Sequence, residues 1–350
     1  MKVLVVGGGL AGALLALELR QRGLAVALID GGTGQSATAW SYGGVAATPP
    51  AAIAATPLGR LLATAAQRWR QLEKRYGPLG WRSCGLRLHG GNSQGVAIAG
   101  RVDTRLLMAR LPVLLAAEGV ELWPWAAVSI TPSTTGPDQT QGWRLRLANG
   151  ETLAGNALVL AAGAGCRALW PELNPRLRIS WAGVLQLAAI PPGYGDNQLL
   201  LPSQFQRLAL ERRVAELNDE AWVVDVGLAP WGEAALAGQI SLVRPGLELG
   251  SPPEAALMEG RLRAAWRAFD PTLERQFLAY QQVAVSFCDQ GLPLVGPVPN
   301  APSLWQFSGF SGGFSQVPVL APILADAIGR EVACGAAGDS KQLQVIADLD

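Results

Sequence analysis

Apolar positions at the start of the chain change period twice within thirty residues. Val3 to Val6 is a short unbroken run, the pattern of a fully buried strand. Leu10 to Arg22 places apolar residues at the period of a helix, and Ala25 to Ile29 is a second unbroken run that ends on Asp30. The predicted order is strand, glycine turn, helix, strand, with an acid at the end.

Further along, the pattern predicts a helix over Thr56–Tyr76 with a basic outer face (Arg60, Arg68, Arg70, Lys74, Arg75), and a strand over Cys84–His89. A second helix is predicted over Arg101–Glu118, with Asp103 or Thr104 as its cap. Strands follow at Val120–Trp123 and Ala127–Ile130. A hairpin turns at Asn149-Gly150 between Trp143–Ala148 and Glu151–Ala154. Ala157–Ala162 is another buried strand, closing on Gly163-Ala164-Gly165. From Pro171 to Phe287 the texture changes to short alternating strands (Trp181–Ala188, Ala221–Val226, Ala237–Val243), a helix over Pro253–Phe269 and a helical turn at Pro271–Phe277. That stretch reads as a second, mostly antiparallel domain.

The glycines give the opening unit its chemistry. Gly7, Gly9 and Gly12 fall at G-x-G-x-x-G spacing between the first strand and the helix. Gly7 permits the tight turn, Gly9 lets a pyrophosphate approach the backbone, and Gly12 lets the helix pack closely on the strand. The helix start offers N–H groups and a positive dipole end to phosphates. Asp30 is placed to accept hydrogen bonds from ribose hydroxyls. Gly163, Gly165 and Ala168 repeat the spacing after a later strand, but Pro171 and Pro175 forbid a helix of useful length there. The expectation is one dinucleotide site and no NAD(P)H domain.

Composition narrows the chemistry. The 350 residues allow two domains, and 49% hydrophobic with 16% charged residues is ordinary for a globular protein. A net charge of +1 predicts no broad attraction to nucleic acid or anionic membrane. No run reaches the length of a membrane span, and the apolar start lacks the marks of a signal peptide, so the cytoplasm is the expected compartment. Cys84, Cys166, Cys288 and Cys334 show no C-x-x-C spacing, and His89 is the single histidine. A Ser–His–Asp triad and a multi-histidine metal site are therefore not expected; no metal is expected at all.

Further segments appear in a fixed order: a small-residue loop with Ser36 and Gly43-Gly44, the strand ending Ala161-Ala162-Gly163-Ala164, and Gly291-Leu292-Pro293-Leu294-Val295-Gly296-Pro297. Last comes Gly309-Phe310-Ser311-Gly312-Gly313-Phe314 before the apolar helical run Val317–Ile328. With the opening unit, this order resembles the FAD-dependent D-amino-acid oxidase and glycine oxidase superfamily, which includes sarcosine oxidase-like enzymes. The resemblance spans nearly the whole chain and is thinnest between residues 175 and 285.

The resemblance implies an α/β fold. A discontinuous Rossmann-type FAD-binding domain (1–82, 100–171, 288–335) would carry a substrate domain on a mostly antiparallel sheet (83–99, 172–287), leaving a tail at 336–350. It implies non-covalent FAD, since Cys288 is not at the offset of the cysteine that tethers flavin in some relatives. Gly7, Gly9, Leu10, Ala11, Gly12 and Asp30 would hold its ADP half, and Ser36 would lie near the pyrophosphate. Val128 would sit beside adenine, and Ala162 and Gly163 near the ribityl–pyrophosphate region. Ser41, Gly43, Gly44, Gly309, Gly312, Gly313 and Phe314 would approach the flavin. Physically, bare glycines let a flat ring lie close to backbone. Ser315 could cap the following helix, whose N-terminus would stabilise negative charge on reduced flavin; Pro322 should kink that helix.

One departure matters. The arginine that grips the substrate carboxylate in amino-acid-oxidising members would fall at Ala284 or Val285. Either another arginine (Arg207, Arg212, Arg213 or Arg244) supplies the anchor, or the substrate lacks that carboxylate. Phe310, Ser311, Tyr280 and Arg244 are the pocket candidates. The implied activity is oxidation of a C–N bond in a small amine or amino-acid-like molecule by hydride transfer to flavin N5, with oxygen or another acceptor reoxidising the flavin. Oxidation of a C–O or C–C bond in a small organic acid is the alternative. A third reading is a flavoprotein with a degenerate site, its Trp181, Trp222, Trp231 and Trp305 serving a partner surface. Oligomeric state stays open.

Overall fold

The computed structural model describes residues 1–32, 36–90, 97–135, 140–195 and 197–334; the predicted tail, 336–350, lies outside them. Two six-stranded sheets dominate. The first begins with β1 (Lys2–Val6), α1 (Leu10–Gln21) and β2 (Ala25–Ile29). Its strand order is Leu294–Pro297, Leu304–Ser308, Ala157–Leu160, β1, β2, Glu121–Trp123. All neighbours run parallel except Leu294–Pro297, which pairs antiparallel with Leu304–Ser308.

This sheet is buried on both faces, which explains the unbroken apolar runs. Val3 and Val5 face a helical layer made by α1, Thr104–Ala117 and the C-terminal helix Gly313–Cys334. Leu4 and Val6 face Ile130, Trp143 and Leu145 of a three-stranded antiparallel sheet. The hairpin predicted around Asn149-Gly150 is part of that sheet.

The second large sheet has the order Phe277–Cys288, Leu177–Leu187, Ala234–Val243, Ala221–Trp231, Gln198–Pro202, Gly85–His89. It is antiparallel except for the last pair. The helix Ala255–Phe269 covers one face through Met258, Leu262 and Trp266. The opposite face carries Leu199, Leu201 and Ala229, against Tyr42 and Ile98.

Several local expectations are corrected. The helix expected over Thr56–Tyr76 is two, Pro57–Leu62 and Ala65–Tyr76. Thr64 makes the break, with both its N–H (2.9 Å) and its hydroxyl (2.7 Å) donating to the Leu61 carbonyl. The next helix starts at Thr104 rather than Arg101, because Arg101 and Val102 finish the strand Ile98–Val102. Asp103 is its cap, accepting from the N–H groups of Arg105 (3.1 Å) and Leu106 (3.3 Å). Trp181 and Trp305 are buried core residues, so the partner surface suggested for the tryptophans does not exist as a set.

The second glycine turn stops as expected. Its helix spans only Cys166–Leu169. Arg167 then gathers the carbonyls of Pro171, Leu173, Asn174 and Leu177 at 2.9–3.0 Å. This turn is closed by its own chain. No helix among the described residues is long and apolar enough to cross a membrane.

Candidate functional site

The site is built around the turn between β1 and α1. Gly7 has φ +109°, and a Cβ there would collide with the Ala161 carbonyl oxygen of the neighbouring strand. A Cβ on Gly12 would collide with the Gly7 carbonyl oxygen. One on Gly8, which the G-x-G-x-x-G spacing leaves unassigned, would strike the Asp30 carboxylate. Gly9 differs: among the described residues a Cβ there would meet only hydroxyl groups, Thr38 Oγ1 at 3.2 Å and Ser36 Oγ at 3.8 Å. Gly7 and Gly12 are thus required by backbone packing, Gly8 is crowded by the Asp30 side chain, and Gly9 faces hydroxyls among the described residues.

Hydroxyls and an acid gather at this turn. Thr38 Oγ1 accepts the Leu10 N–H at 3.0 Å, so Thr38 stands with Ser36 at the start of α1. Thr38 was not foreseen, because its loop shows no period. Asp30 is exposed at the end of β2, its Oδ1 accepting the Gly32 N–H at 3.1 Å. The Asp30 N–H donates to Trp123 O at 3.0 Å, and Gly31 packs on Ala126. Val128, two residues on, is 45% exposed. The structure therefore brings Gly9, Ser36, Asp30 and the segment leading to Val128 to one end of the first sheet.

A second group gathers where the C-terminal helix begins. That helix starts at Gly313, so Ser315 lies inside its first turn and is not its cap. The Ser315 hydroxyl instead accepts the Ala46 N–H at 2.9 Å. This bond ties the strand Gly44–Ala46 to the helix start, bringing Gly44 towards Gly312 and Gly313. Gln316 Oε1 accepts the Gly312 N–H at 3.1 Å and closes the turn. A Cβ on Gly313 would lie 3.6 Å from Leu10 Cδ2, so the two helix starts are neighbours.

The glycines here divide in the same way. Gly309 (φ +80°) is bare because Cys288 Sγ occupies the place of its Cβ, and Gly43 because the Val102 carbonyl oxygen does. Among the described residues, Gly312 and Gly313 meet only side-chain atoms, at 3.6 Å or more. Ser286 Oγ lies 3.2 Å from Ser308 Oγ and 3.8 Å from where a Gly163 Cβ would stand, which joins the Ala162-Gly163 turn to this group. Burial pushes the Cys166 thiol up to about 11 and that of Cys288 to about 12.

The loop from Ser36 to Ala46 is fastened on both sides. Thr104 Oγ1 lies 3.0 Å from Ala39 O and 3.2 Å from Ser41 O. Ser41 Oγ accepts the Gly43 N–H at 3.3 Å, and Trp231 Nε1 donates to Ala39 O at 3.2 Å. Tyr42 donates its hydroxyl to Gly227 O at 2.9 Å, and burial holds its phenol far above the usual tyrosine range. Its ring sits against Gly227 and Gly238, on the face of the second sheet that looks towards the loop. Sequence reasoning missed Tyr42 too.

Among the pocket candidates, Phe310 and Ser311 stand at the C-terminal corner, Phe310 edge-on to Phe307 at 4.9 Å. Tyr280 and Arg244 do not join them. Tyr280 packs beneath the helix Ala255–Phe269, on the far face of the second sheet. Arg244 pairs with Glu220 at 3.3 Å and donates to Ser251 O at 2.6 Å. Of the possible carboxylate anchors, Arg207 pairs with Glu211 (3.1 Å) and Arg213 with Glu216 (3.2 Å). Phe314 turns its ring into the core against Trp69.

Residues 2–127 match the family model described as FAD dependent oxidoreductase. No curated protein matches the sequence. Among solved structures, the chain is similar to glycine oxidase from Geobacillus kaustophilus, at 20% identity over 94% of each chain with a TM-score of 0.69. It is similar to NikD, an unusual amino acid oxidase essential for nikkomycin biosynthesis (17% identity, 97% of this chain and 96% of that one, TM-score 0.68). Iminodiacetate oxidase from Chelativorans sp. BNC1 gives 18% identity over 95% of each chain and a TM-score of 0.64. The expected α/β fold of the glycine oxidase type holds over nearly the whole chain, and the FAD-dependent oxidoreductase signature holds over its opening third.

Proposed function

We propose that this chain, with its FAD-dependent oxidoreductase opening segment and its glycine oxidase-like fold, oxidises a C–N bond of a small amine or amino-acid-like molecule. The observation that carries the reading is the pairing of two helix starts at one end of the first sheet. Each has open glycines (Gly9; Gly312 and Gly313), and an exposed acid, Asp30, ends the neighbouring strand. The residues fit FAD. The start of α1 offers N–H groups to a pyrophosphate, with Ser36 and Thr38 beside it. Asp30 suits ribose hydroxyls, and the exposed Val128 suits an adenine face. Free thiols at Cys84, Cys166 and Cys288 suit a reducing, cytoplasmic setting.

Bound FAD supplies the acceptor, at its N5, for a hydride from the substrate's α-carbon. The chain's own part is position and charge. Gly312 and Gly313 let a planar group lie close to backbone, and the helix beginning there places its positive end beside it. Tyr42, kept protonated by burial, closes the space between the loop and the second sheet. Segments 1–82, 100–171 and 288–335 form the cofactor-holding part in this reading, and 83–99 with 172–287 the substrate-facing part. In this reading FAD is held without a covalent bond, and Cys288 Sγ fills the place of a Gly309 side chain.

Purified protein tests this directly. It is expected to carry yellow, acid-extractable FAD that is bleached anaerobically by one member of a panel of amines and amino acids. Under air the same compound should yield hydrogen peroxide with ammonia or a smaller amine. Bleaching by a hydroxy acid without amine release would move the activity to a C–O bond. Protein that takes up no FAD would end the reading.

A further inference from the structure

The C-terminal helix contains Pro318 and Pro322. In an α-helix each N–H serves the carbonyl four residues earlier, and proline has none. Pro318 therefore leaves the Phe314 carbonyl without its helical donor, and Pro322 does the same to the Pro318 carbonyl. Both are served from outside, by adjacent residues of the helix Ala65–Tyr76. Trp69 Nε1 donates to Phe314 O at 2.7 Å, fully buried, and Arg68 Nε donates to Pro318 O at 3.3 Å. The Trp69 ring also stacks on Phe314, at 6.2 Å between centroids and 25° between planes. Arg68 reaches on to the buried Glu18 of α1, which Arg22 holds at 2.9 Å while donating to Pro322 O at 2.9 Å.

The location gives the arrangement its meaning. Phe314 is the second residue of the helix that begins at Gly313, beside the open glycines. Its first turn is held by Trp69 on one side and by the Ser315–Ala46 bond on the other. We propose that Trp69 and Arg68 are positioning residues: they replace the two N–H groups that the prolines remove, fix the helix start beside the flavin ring, and so set how strongly the site favours reduced flavin. The proposal rests on the FAD reading above and on no choice of substrate. A fixed dipole stabilises developing charge without reorganising. A first turn with an unserved buried carbonyl shifts to find a donor and loses that alignment.

The test is a pair of rescue cycles read by the reduction potential of the bound flavin. Trp69→Phe keeps a ring and removes the donor. The holoprotein is expected to retain its FAD content, with the equilibrium constant for two-electron reduction about tenfold lower, a shift of about 30 mV to more negative potential. Pro318→Ala restores the backbone N–H, so the double variant Trp69→Phe/Pro318→Ala should return to within about threefold of the starting value. Arg68→Met should move the potential in the same direction by less, and Pro322→Ala should restore it. A Trp69→Phe holoprotein with unchanged potential overturns the proposal, as does a shift that Pro318→Ala fails to reverse while recovering thermal stability. If Trp69→Phe yields no folded protein, the Arg68→Met and Pro322→Ala cycle decides, and an unmoved potential there overturns it. Wild-type protein that binds no FAD would instead defeat the functional reading itself.

Discussion

The two glycine-rich corners look alike in sequence and are made differently. At residues 7–12 the crowding atoms are near in sequence or one strand away: Gly12 against Gly7, Gly8 against Asp30, Gly7 against Ala161. At residues 309–316 they come from four separate segments. Cys288 crowds Gly309, Ala46 binds Ser315, Trp69 binds Phe314, and Leu10 approaches Gly313. The first corner is mostly local to the β-α-β unit, with Ala161 of the adjoining strand as its one distant crowding residue. The second is an assembly that exists only once the chain has folded. In both, the glycines divide into those the protein needs for itself and those that leave space for something else.

That division is sharpest in the opening turn, where the largest effect is expected. Gly12→Val drives two branches into the Gly7 carbonyl region and should cost the apoprotein at least about 3 kcal/mol. Among the described residues Gly9→Ala meets only movable hydroxyls. Its apoprotein should unfold at the wild-type urea midpoint while FAD binding weakens. Equal destabilisation by the two variants would abolish the distinction between packing glycines and space-leaving ones.

Next comes the acid. Asp30→Ala removes an exposed carboxylate that, among the described residues, accepts the Gly32 N–H. The apoprotein should keep its stability within about 0.5 kcal/mol. FAD affinity should fall about tenfold to a hundredfold, the worth of a hydrogen bond to a charged group. Titration of apoprotein with FAD measures it, and an unchanged affinity would remove Asp30 from the ribose site.

The same contrast explains how much was legible in the sequence. β1, α1, β2, the Asp103 cap and the Asn149-Gly150 hairpin depend on neighbours in the chain, and local pattern finds them. The strand Phe277–Cys288 was missed because it is an edge strand whose burial does not alternate: Leu278 is exposed and most of its residues are half-buried, so no period of two marks it. The helix Gln206–Arg212 was missed because its N-terminal N–H groups are capped by Asp225, at 2.8 and 3.0 Å, from a later strand. At the site, Gly9 and Asp30 were readable as parts of a motif. Tyr42, Thr38 and Trp69 were not, since their partners lie 28 to 245 residues away.

A smaller effect probes the second corner. Gly309→Ala must adopt φ near +80° and displace Cys288 Sγ, for an expected loss of about 1–3 kcal/mol. Adding Cys288→Ala removes the sulfur but not the backbone strain, so it should recover only part of that loss. Full recovery would mean that crowding alone fixes Gly309, and no recovery that backbone conformation alone does.

The smallest effect should come from Ser315→Ala, and it tests the link between the corners. The Ser315 hydroxyl is the acceptor for the Ala46 N–H, and it is nearly buried. Removing it leaves a buried donor unserved, at a cost of about 1 kcal/mol. The loop carrying Gly43 and Gly44 has further fastenings at Thr104, Tyr42 and Trp231, so the fold should survive. What should change is the registration of that loop with the helix start at Gly313. FAD affinity is then expected to fall about threefold, and hydrogen exchange at Ala46 to rise by about the same free energy as the lost stability. If exchange at Ala46 rises and FAD affinity stays fixed, the loop and the helix start hold the cofactor independently. The second corner would then be two separate contacts rather than one assembly.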